Sequence, residues 1–181
     1  MNNQESAPQQ SDHQVDSANV LHVAYGPLRD PEIMERIVGA PLEEMGHVAI
    51  TGVGLVEQAL EHLPTPAQDV LINQGVDPNS FRSTGLTTEV VDENGGIGGT
   101  LYNLTPEQAQ RLDEYELTES GWFQRQDVQV TTPQGENITA STHVLPESSQ
   151  SSGQVVETGR LNHEQRATVL KQIDQYNSGR D

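Results

Sequence analysis

Short apolar runs alternate with amphipathic segments along the chain, a pattern typical of a domain that mixes strands and helices. The apolar run at residues 20–25 predicts a buried strand that ends at Gly26-Pro27. Asp30 predicts the cap of a short helix over residues 31–38, which Gly39 terminates. Residues 46–56 are rich in β-branched side chains and predict a second strand.

The middle of the chain predicts a helix followed by a hairpin. Thr65-Pro66 favours a helix over residues 67–73. Residues 81–91 alternate loosely between apolar and polar side chains and lead into an acidic, glycine-containing turn at residues 92–96. Residues 97–104 are the returning strand, so we expect these two strands to pair with each other.

A second hairpin and a last helix complete the pattern. Residues 121–130 and 138–145 alternate on either side of a turn at 133–137, and a helix over residues 162–176 is capped by Asn162. Five or six short strands with three or four helices predict an α+β domain, with a sheet that can close into a small mixed β-barrel with flanking helices.

The helix with the clearest beginning follows Thr105. Thr105 is a favourable N-cap, Pro106 suits the first helical position, and Gln108 lies where a capping-box partner reaches back. This helix therefore has a defined start, which fixes the faces on which its later residues lie.

Glu116 shares one face of that helix with Ala109 and Leu112, at spacing i, i+3, i+7. The apolar pair predicts that this face carries the carboxylate towards the interior or a cleft. Burial and the negative end of the helix dipole would both raise the pKa of Glu116, as a general acid/base requires. The alternative is that the helix ends here and Glu116 turns into water.

Composition narrows the classes of partner. The 181 residues carry 27 Asp and Glu against 9 Lys and Arg, a formal net charge of −18. Such a surface repels nucleic acid and anionic membranes, so neither is an expected partner. The absence of cysteine excludes disulfides, thiolate metal sites and a cysteine nucleophile. With no visible secretory signal and no apolar run of membrane-spanning length, we expect a cytoplasmic protein.

The domain organisation follows from where apolar residues are scarce. Residues 1–19 are rich in Gln, Asn, Ser and Asp and predict a disordered polar tail. Residues 20–145 contain the predicted strands and helices of one domain. Residues 146–181 predict a Ser/Gln-rich linker followed by the last helix.

Familiar catalytic motifs are missing from the sequence. It contains no P-loop, no dinucleotide fingerprint, no HExxH and no nucleophile elbow. His22, on the first predicted strand, is expected to face the core or a neighbouring strand rather than a ligand. No pattern favours a metal site, and we expect none.

Two separated segments together resemble the gamma-glutamylcyclotransferase-like family. Residues 23–31, VAYGPLRDP, are similar to its N-terminal YGxL segment. Residues 99–102, GTLY, followed by residues 112–116, LDEYE, are similar to its G-x-[LV]-[YW] strand and LDxxE helix. The segment GWFQR at 121–125 and the hairpin to Leu145 follow the family's order. The resemblance covers about residues 20–145.

The resemblance implies a small mixed β-barrel with helices and a pocket where the turn and the LDxxE glutamate meet. The catalytic glutamate falls on Glu116, the residue that the helix pattern also indicates. The substrate-holding turn falls on Tyr25, Gly26, Pro27 and Leu28. The implied substrate is a small gamma-glutamyl amide, cleaved to 5-oxoproline and an amine without a metal or cofactor.

Three departures from the family's pattern leave other readings open. Pro27 has no N–H, Leu117 replaces the glycine that often follows the glutamate, and Phe123 stands where many members carry a pocket tyrosine. A non-catalytic module of the same fold that binds a small ligand is one alternative. An amide hydrolase that uses water as nucleophile is another. The oligomeric state and the amine part of the substrate do not follow from the sequence.

Overall fold

A computed structural model describes residues 19–89, 91, 96–147, 149–151 and 161–180. Residues 1–18 of the predicted tail at 1–19, residues 92–95 of the predicted turn at 92–96 and most of the linker, at 152–160, lie outside the described residues. The strands are β1 (Val20–Ala24), β2 (Glu43–Thr51), β3 (Gly54–Ala59), β4 (Arg82–Thr87), β5 (Ile97–Leu104), β6 (Gln124–Thr131) and β7 (Asn137–Val144). The helices are α1 (Pro31–Val38), α2 (Thr65–Asn73), α3 (Pro106–Tyr115) and α4 (His163–Arg180).

The seven strands form one mixed sheet in the order β1-β5-β2-β6-β7-β4-β3. Strand β1 pairs antiparallel with β5 and also meets β7 in parallel, where His22 lies opposite Ser141. Because β1 contacts strands that are far apart in this order, the sheet curls back on itself. The predicted α+β class is confirmed, with a curled sheet covered by helices.

The predicted ends of α1 and α3 are confirmed. The Asp30 carboxylate accepts hydrogen bonds from the backbone N–H groups of Glu32, at 2.9 Å, and Ile33, at 3.4 Å. Thr105 and Gln108 form the reciprocal capping box that starts α3. Each helix begins where a side chain satisfies backbone donors that have no partner within the helix.

Two strand predictions are wrong. Residues 46–56 are not one strand: β2 ends at Thr51, the chain turns at Gly52 with φ +76°, and β3 begins at Gly54. The predicted β4–β5 hairpin is absent, since β4 pairs with β3 and β7 while β5 pairs with β1 and β2. An apolar run cannot show where a strand turns or which strand it pairs with, because both depend on tertiary packing.

Glycine explains one of the observed pairings. A Cβ at Gly99 in β5 would lie 2.6 Å from Val23 Cγ2 and 2.9 Å from the Ala24 carbonyl oxygen in β1. Only glycine permits this close approach of the two strands. The predicted β6–β7 hairpin is confirmed, with Gln124 to Thr131 paired against Val144 to Asn137.

Apolar side chains form three clusters. The first lies within the curled sheet, the second lies between the outer side of β1 and β5 and the helices α1, α3 and α4, and the third joins β3, α2 and the segment after α3. The second cluster contains Ile33, Met34, Tyr102, Leu104, Leu112 and Ile173, and the third contains Val56, Leu60, Leu71, Trp122, Phe123 and Leu145.

The last helix, α4, is tied to α1 by both packing and charge. Ile173 is fully buried in the second cluster. The Arg166 guanidinium donates to Asp30, with Nε 2.6 Å from Oδ2, and to Glu32. This hydrogen bond from Arg166 holds the pKa of Asp30 below its usual value. Among the described helices, none has both the length and the apolar character to span a membrane.

Candidate functional site

Side chains of β5 hold the turn that follows β1. Residues Gly26–Arg29 form a single 3-10 turn, and Gly26 has φ +65°, a conformation that favours glycine. The Tyr102 hydroxyl donates to the carbonyls of Leu28, at 3.2 Å, and Arg29, at 3.1 Å, and the Thr100 hydroxyl also donates to Arg29. The turn's carbonyl groups are thereby fixed to the sheet.

Tyr25 links the start of this turn to two other strands. Its hydroxyl donates to the His143 carbonyl in β7, at 2.7 Å, and accepts from the Leu86 N–H in β4, at 3.2 Å. Burial, followed by the nearby charge of Glu116, raises the pKa of Tyr25 well above its usual value. Tyr25 therefore stays a neutral phenol whose only hydrogen is committed to the protein.

Glu116 lies at the C-terminal end of α3, between two apolar clusters. Ala109 and Leu112 of α3 are buried, as their spacing predicts. Tyr115 packs with the second cluster and Leu117 with the third, so the chain crosses from one cluster to the other at Glu116. Helix α3 ends at Tyr115, as the alternative expects, and Glu116 is its C-cap; the residue is half-buried rather than fully exposed.

The Glu116 carboxyl is both partly desolvated and without a bonding partner. Burial raises the pKa of Glu116; His143 opposes the rise, Asp113 adds to it and Arg125 opposes it. Within the described part of the chain, no hydrogen bond or ion pair involves this carboxyl. A half-buried carboxyl with no protein partner is costly, and such groups concentrate at functional sites.

A network of polar side chains lies beside Glu116. Asp113 Oδ1 accepts from Arg125, at 2.7 Å from NH2 and 3.1 Å from Nε, and lies 2.7 Å from His143 Nε2. The other end of Arg125, NH1, donates to Ser141 Oγ at 2.7 Å and to His22 Nδ1 at 3.1 Å. Helix α3 and strands β1, β6 and β7 thus each contribute to one connected cluster.

The charges in this network are fixed by their partners. Burial alone would raise the pKa of Asp113, but hydrogen bonds from His143 and Arg125 outweigh it, and the net effect lowers this pKa. Burial, His143 and Arg125 together hold the pKa of His22 well below its usual value. Asp113 is therefore an anion and His22 is neutral, accepting from Arg125 through Nδ1.

A sequence model of the family described as "Gamma-glutamyl cyclotransferase, AIG2-like" matches residues 23–163, more than half of the chain. The protein belongs to this family. A solved structure named "Gamma-glutamyl cyclotransferase" is 13% identical, with a TM-score of 0.55 over 84% of this chain and 99% of its own. The human uncharacterized protein loc79017 gives the same values.

YkqA from Bacillus subtilis is 14% identical, with a TM-score of 0.50 over 90% of this chain and 58% of its own. No curated protein matches the chain. At these identities the structural likeness shows the gamma-glutamyl cyclotransferase-like fold.

The three departures from the pattern of the gamma-glutamyl cyclotransferase family have different structural consequences. Pro27 is the second residue of the 3-10 turn and leaves that position without a donor. Phe123 is buried in the third cluster, its ring 4.8 Å from that of Trp122. Leu117 has φ +53° and ψ +45°, the left-handed conformation that a glycine adopts without strain.

Leu117 allows a direct measurement of this backbone strain. We expect Leu117→Gly to be more stable than Leu117→Ala by about 1 kcal/mol, because both lose the same packing but only Ala keeps a Cβ in the left-handed region. The same pair at Gln110, an exposed position within α3, should give the opposite order. Urea unfolding of the four variants checks this, and Ala ahead of Gly at position 117 would contradict it.

His22 gives the gamma-glutamyl cyclotransferase-like domain an acid-sensitive element. Because the pKa of His22 is lowered in the folded protein, below about pH 6.5 the unfolded chain binds a proton at His22 that the folded protein does not bind. Stability therefore falls as the pH drops through this range, by up to about 1.4 kcal/mol per pH unit from this group. Urea unfolding at pH 7.5, 6.5 and 5.5 should show a shallower loss in His22→Gln.

The control for this measurement is His47→Gln, because His47 is exposed on β2. This control should keep the wild-type slope. An unchanged slope in His22→Gln would mean that the buried imidazole accepts a proton without cost.

Two concavities among the described residues lie away from Glu116. A cavity of about 40 Å³ is lined by Thr87, Leu145 and their neighbours, and an open groove is lined by residues of β2 and by Thr131, Thr132 and Pro133. Neither includes the turn at 26–29. Among the described residues, no three His, Asp or Glu side chains are grouped so as to hold a metal ion.

The sequence prediction missed the role of His143 and Arg125. Both lay within predicted strands, but neither was selected as a candidate. Ser141 and His143 lie two residues apart and therefore share one face of β7, and both are buried. Thr142 between them is also polar and buried, so no alternation of polar and apolar residues marked this face in the sequence.

Proposed function

We propose that this protein cleaves a gamma-glutamyl amide by intramolecular cyclisation, releasing 5-oxoproline and an amine. Membership of the gamma-glutamyl cyclotransferase family supports the reaction class. The observation that carries the proposal is the Glu116 carboxyl, half-buried, raised in pKa by burial and unbonded to any described residue. A carboxyl group whose pKa is raised in this way is suited to take up a proton and return it.

The reaction needs one proton carrier. The substrate's α-amine loses a proton to the Glu116 carboxylate and attacks the γ-carbonyl carbon, which closes a five-membered ring. The tetrahedral intermediate then expels the amine, whose nitrogen receives the proton from Glu116. Because nucleophile and carbonyl belong to one molecule, most of the protein's contribution is to hold a reactive conformation.

The turn of Tyr25, Gly26, Pro27 and Leu28 is the proposed substrate-holding element, and Phe123, buried in the third cluster, is the remaining proposed substrate-binding residue. Two features support the turn. Its carbonyls are bonded to β5, which fixes its orientation, and the charge of Glu116 acts on Tyr25. N–H groups of the turn would hold the substrate carboxylate or the developing oxyanion. Pro27 offers no such donor.

A ligand-binding module without catalysis is the second candidate. The Tyr25 hydrogen is committed to the His143 carbonyl, so Tyr25 has no hydrogen to donate to a substrate, and Phe123, which packs on Trp122, has no hydroxyl. A protein of this kind would bind an amino-acid-like ligand and release it unchanged.

The two candidates separate in one experiment on the purified protein. A panel of gamma-glutamyl amines is incubated with it, and 5-oxoproline, free glutamate and the melting temperature are measured. Release of 5-oxoproline supports the cyclotransferase. Thermal stabilisation without any product supports the binding module, and free glutamate in place of 5-oxoproline identifies an amide hydrolase.

A further inference from the structure

Helix α4 lies beyond the part of the chain that the family model matches. The match ends at residue 163, where α4 begins. Family membership therefore implies no role for this helix. The helix nevertheless packs closely on the domain: Ile173 is fully buried in the second cluster, and Val169 and Leu170 pack against that cluster.

Three contacts of α4 lie along one side of the helix. Arg166, Ile173 and Tyr176 are spaced i, i+7, i+10, which places them on one face. At a rise of about 1.5 Å per residue, the stretch from Arg166 to Tyr176 spans about 15 Å. Each end of this stretch contacts a segment next to the proposed site.

Arg166 binds the residue at which the proposed substrate-holding turn ends. Its Nε lies 2.6 Å from Asp30 Oδ2 and its NH2 lies 3.4 Å from Asp30 Oδ1, so the guanidinium meets the carboxylate with two donors. Such a contact fixes the orientation of a carboxylate as well as its position. The Asp30 carboxylate also caps α1, and the Asp30 backbone N–H donates to the Pro27 carbonyl, at 3.2 Å. Asp30 thus connects the turn, α1 and α4.

Tyr176 contacts the residue that immediately precedes Glu116. The Tyr176 ring meets the Tyr115 ring edge to face, with 5.2 Å between their centroids and 87° between their planes. Tyr115 is the last residue of α3, and Glu116 is the C-cap that follows it. One helix therefore contacts both the residue that ends the turn and the residue before the candidate carboxyl.

A single 3-10 turn depends on neighbouring elements for its position, because its hydrogen-bond geometry is poorer than that of an α-helix. Side chains of β5 bind the last carbonyls of the turn at Gly26–Arg29. From there the chain enters α1 through Asp30, whose side chain Arg166 holds. Releasing Asp30 from α4 would let this end of the turn move.

We propose that Arg166 is a positioning residue for the substrate-holding turn: from α4 it holds Asp30, so that the turn keeps its place relative to the segment that carries Glu116. This inference deepens the proposed cyclotransferase function and rests on it for its catalytic meaning. Arg166 contacts the end of the turn rather than the reacting atoms. Its loss should therefore weaken substrate binding more than it slows the proton transfer.

The first measurement is the kinetics of the full-length protein on the most active member of the amide panel. Arg166→Gln should raise KM for 5-oxoproline release by about tenfold and change kcat by less than about twofold, because binding is lost while the reacting groups stay in place.

Arg36→Gln is the matched control, because it removes an ion pair of the same interface between α1 and α4. Arg36 lies 2.9 Å from Asp174 and also pairs with Glu32, rather than with Asp30. KM in this control should stay at the wild-type value. An equal rise of KM in both variants would mean that any loosening of α4 has this effect, and it would overturn the inference.

A double-mutant cycle tests whether Arg166 acts through Asp30. Asp30→Asn keeps a favourable N-cap for α1 but loses the carboxylate that receives the two donors. The double variant should therefore have the same KM as Asp30→Asn alone. Additive increases in KM would show that Arg166 acts by another route and would reject the inference.

Amide hydrogen exchange gives a readout that needs no substrate. The Asp30 N–H, which donates to the Pro27 carbonyl, should exchange about ten times faster in Arg166→Gln than in wild type. In Arg36→Gln its exchange should be unchanged. Wild-type exchange in Arg166→Gln would mean that the end of the turn is fixed without α4, which also overturns the inference.

The outcomes separate this inference from the proposed function. Faster Asp30 exchange in a protein that releases no 5-oxoproline rejects the cyclotransferase and keeps Arg166 as the residue that holds the turn. Release of 5-oxoproline with a wild-type KM in Arg166→Gln keeps the cyclotransferase and rejects the positioning role.

Discussion

Replacing Glu116 with Gln is expected to lower kcat for 5-oxoproline release by about 10²–10⁴-fold, because a general acid/base contributes about this factor and the amide cannot carry the proton. The substitution keeps the size and shape of the side chain, so substrate binding should change little. Steady-state release of 5-oxoproline from the most active member of the amide panel measures the effect. Unchanged turnover would reject the role of Glu116.

The same substitution is expected to stabilise the protein. Burial raises the pKa of Glu116, so the folded state holds this proton more tightly than the unfolded chain does. Above the unfolded value of about 4.5, the folded state therefore bears the cost of an ionised carboxyl that prefers to be neutral. Gln removes that cost at neutral pH, and each 1 kcal/mol recovered should raise the melting temperature by about 2–4 °C.

Glu119→Gln is the matched control, because Glu119 lies three residues further on and is exposed. It should alter neither turnover nor melting temperature. A gain in stability together with a loss of activity is the pattern expected of a functional group held in an unfavourable environment. A less stable Glu116→Gln would instead mean that contacts to the carboxylate hold the fold together.

Local signals in the sequence gave the elements on which the candidate site depends. Asp30 and the Thr105–Gln108 pair mark helix starts because a capping side chain acts on backbone groups within three residues of itself. The i, i+3 spacing of Ala109 and Leu112 predicted the buried side of α3 because helical periodicity is also local, whereas Glu116 follows the last residue of the helix as its C-cap. Neither inference required knowledge of distant contacts.

Distant pairings followed no such signal. The sequence predicted one strand over residues 46–56, although the chain turns at Gly52. An isolated glycine in an apolar run is compatible both with a continuous strand and with a turn between two strands. The sequence also paired β4 with β5, its nearest neighbour, where the structure pairs β4 with β3 and β7. Strand partners are chosen by the packing of whole faces, which neighbouring residues do not specify.

The polar cluster was missed for the same reason. His22, Arg125 and His143 lie on three strands separated by up to 121 positions, and their relation to Asp113 appears only when the sheet curls. Each residue alone is consistent with an ordinary strand position. Glu116 could be selected from the helix that precedes it, but the polar groups around Asp113 could not.

Replacing Asp113 with Asn should cause the largest loss of stability, about 2–3 kcal/mol at pH 7. Removing one partner of a buried ion pair costs about 3–5 kcal/mol, and the 32% exposure of the Asp113 side chain reduces that figure. Asn keeps the shape and one acceptor but leaves the Arg125 charge without its counter-ion. Urea unfolding of both proteins at pH 7 measures the difference.

The pH dependence of this difference follows from the lowered pKa of Asp113. The stabilisation by its carboxylate is fully present above the unfolded value of about 3.8 and is lost as the pH falls through the folded value. Wild type and Asp113→Asn should therefore converge in strongly acidic solution. Asp127→Asn, at an exposed position of β6, is the control and should stay close to wild type at every pH.

A difference between wild type and Asp113→Asn that persists unchanged into strong acid would mean that the carboxylate charge is not what stabilises the cluster. If the predicted convergence occurs, Asp113 does two things through one oxygen. It neutralises Arg125, and it binds the His143 ring, which joins α3 to β7.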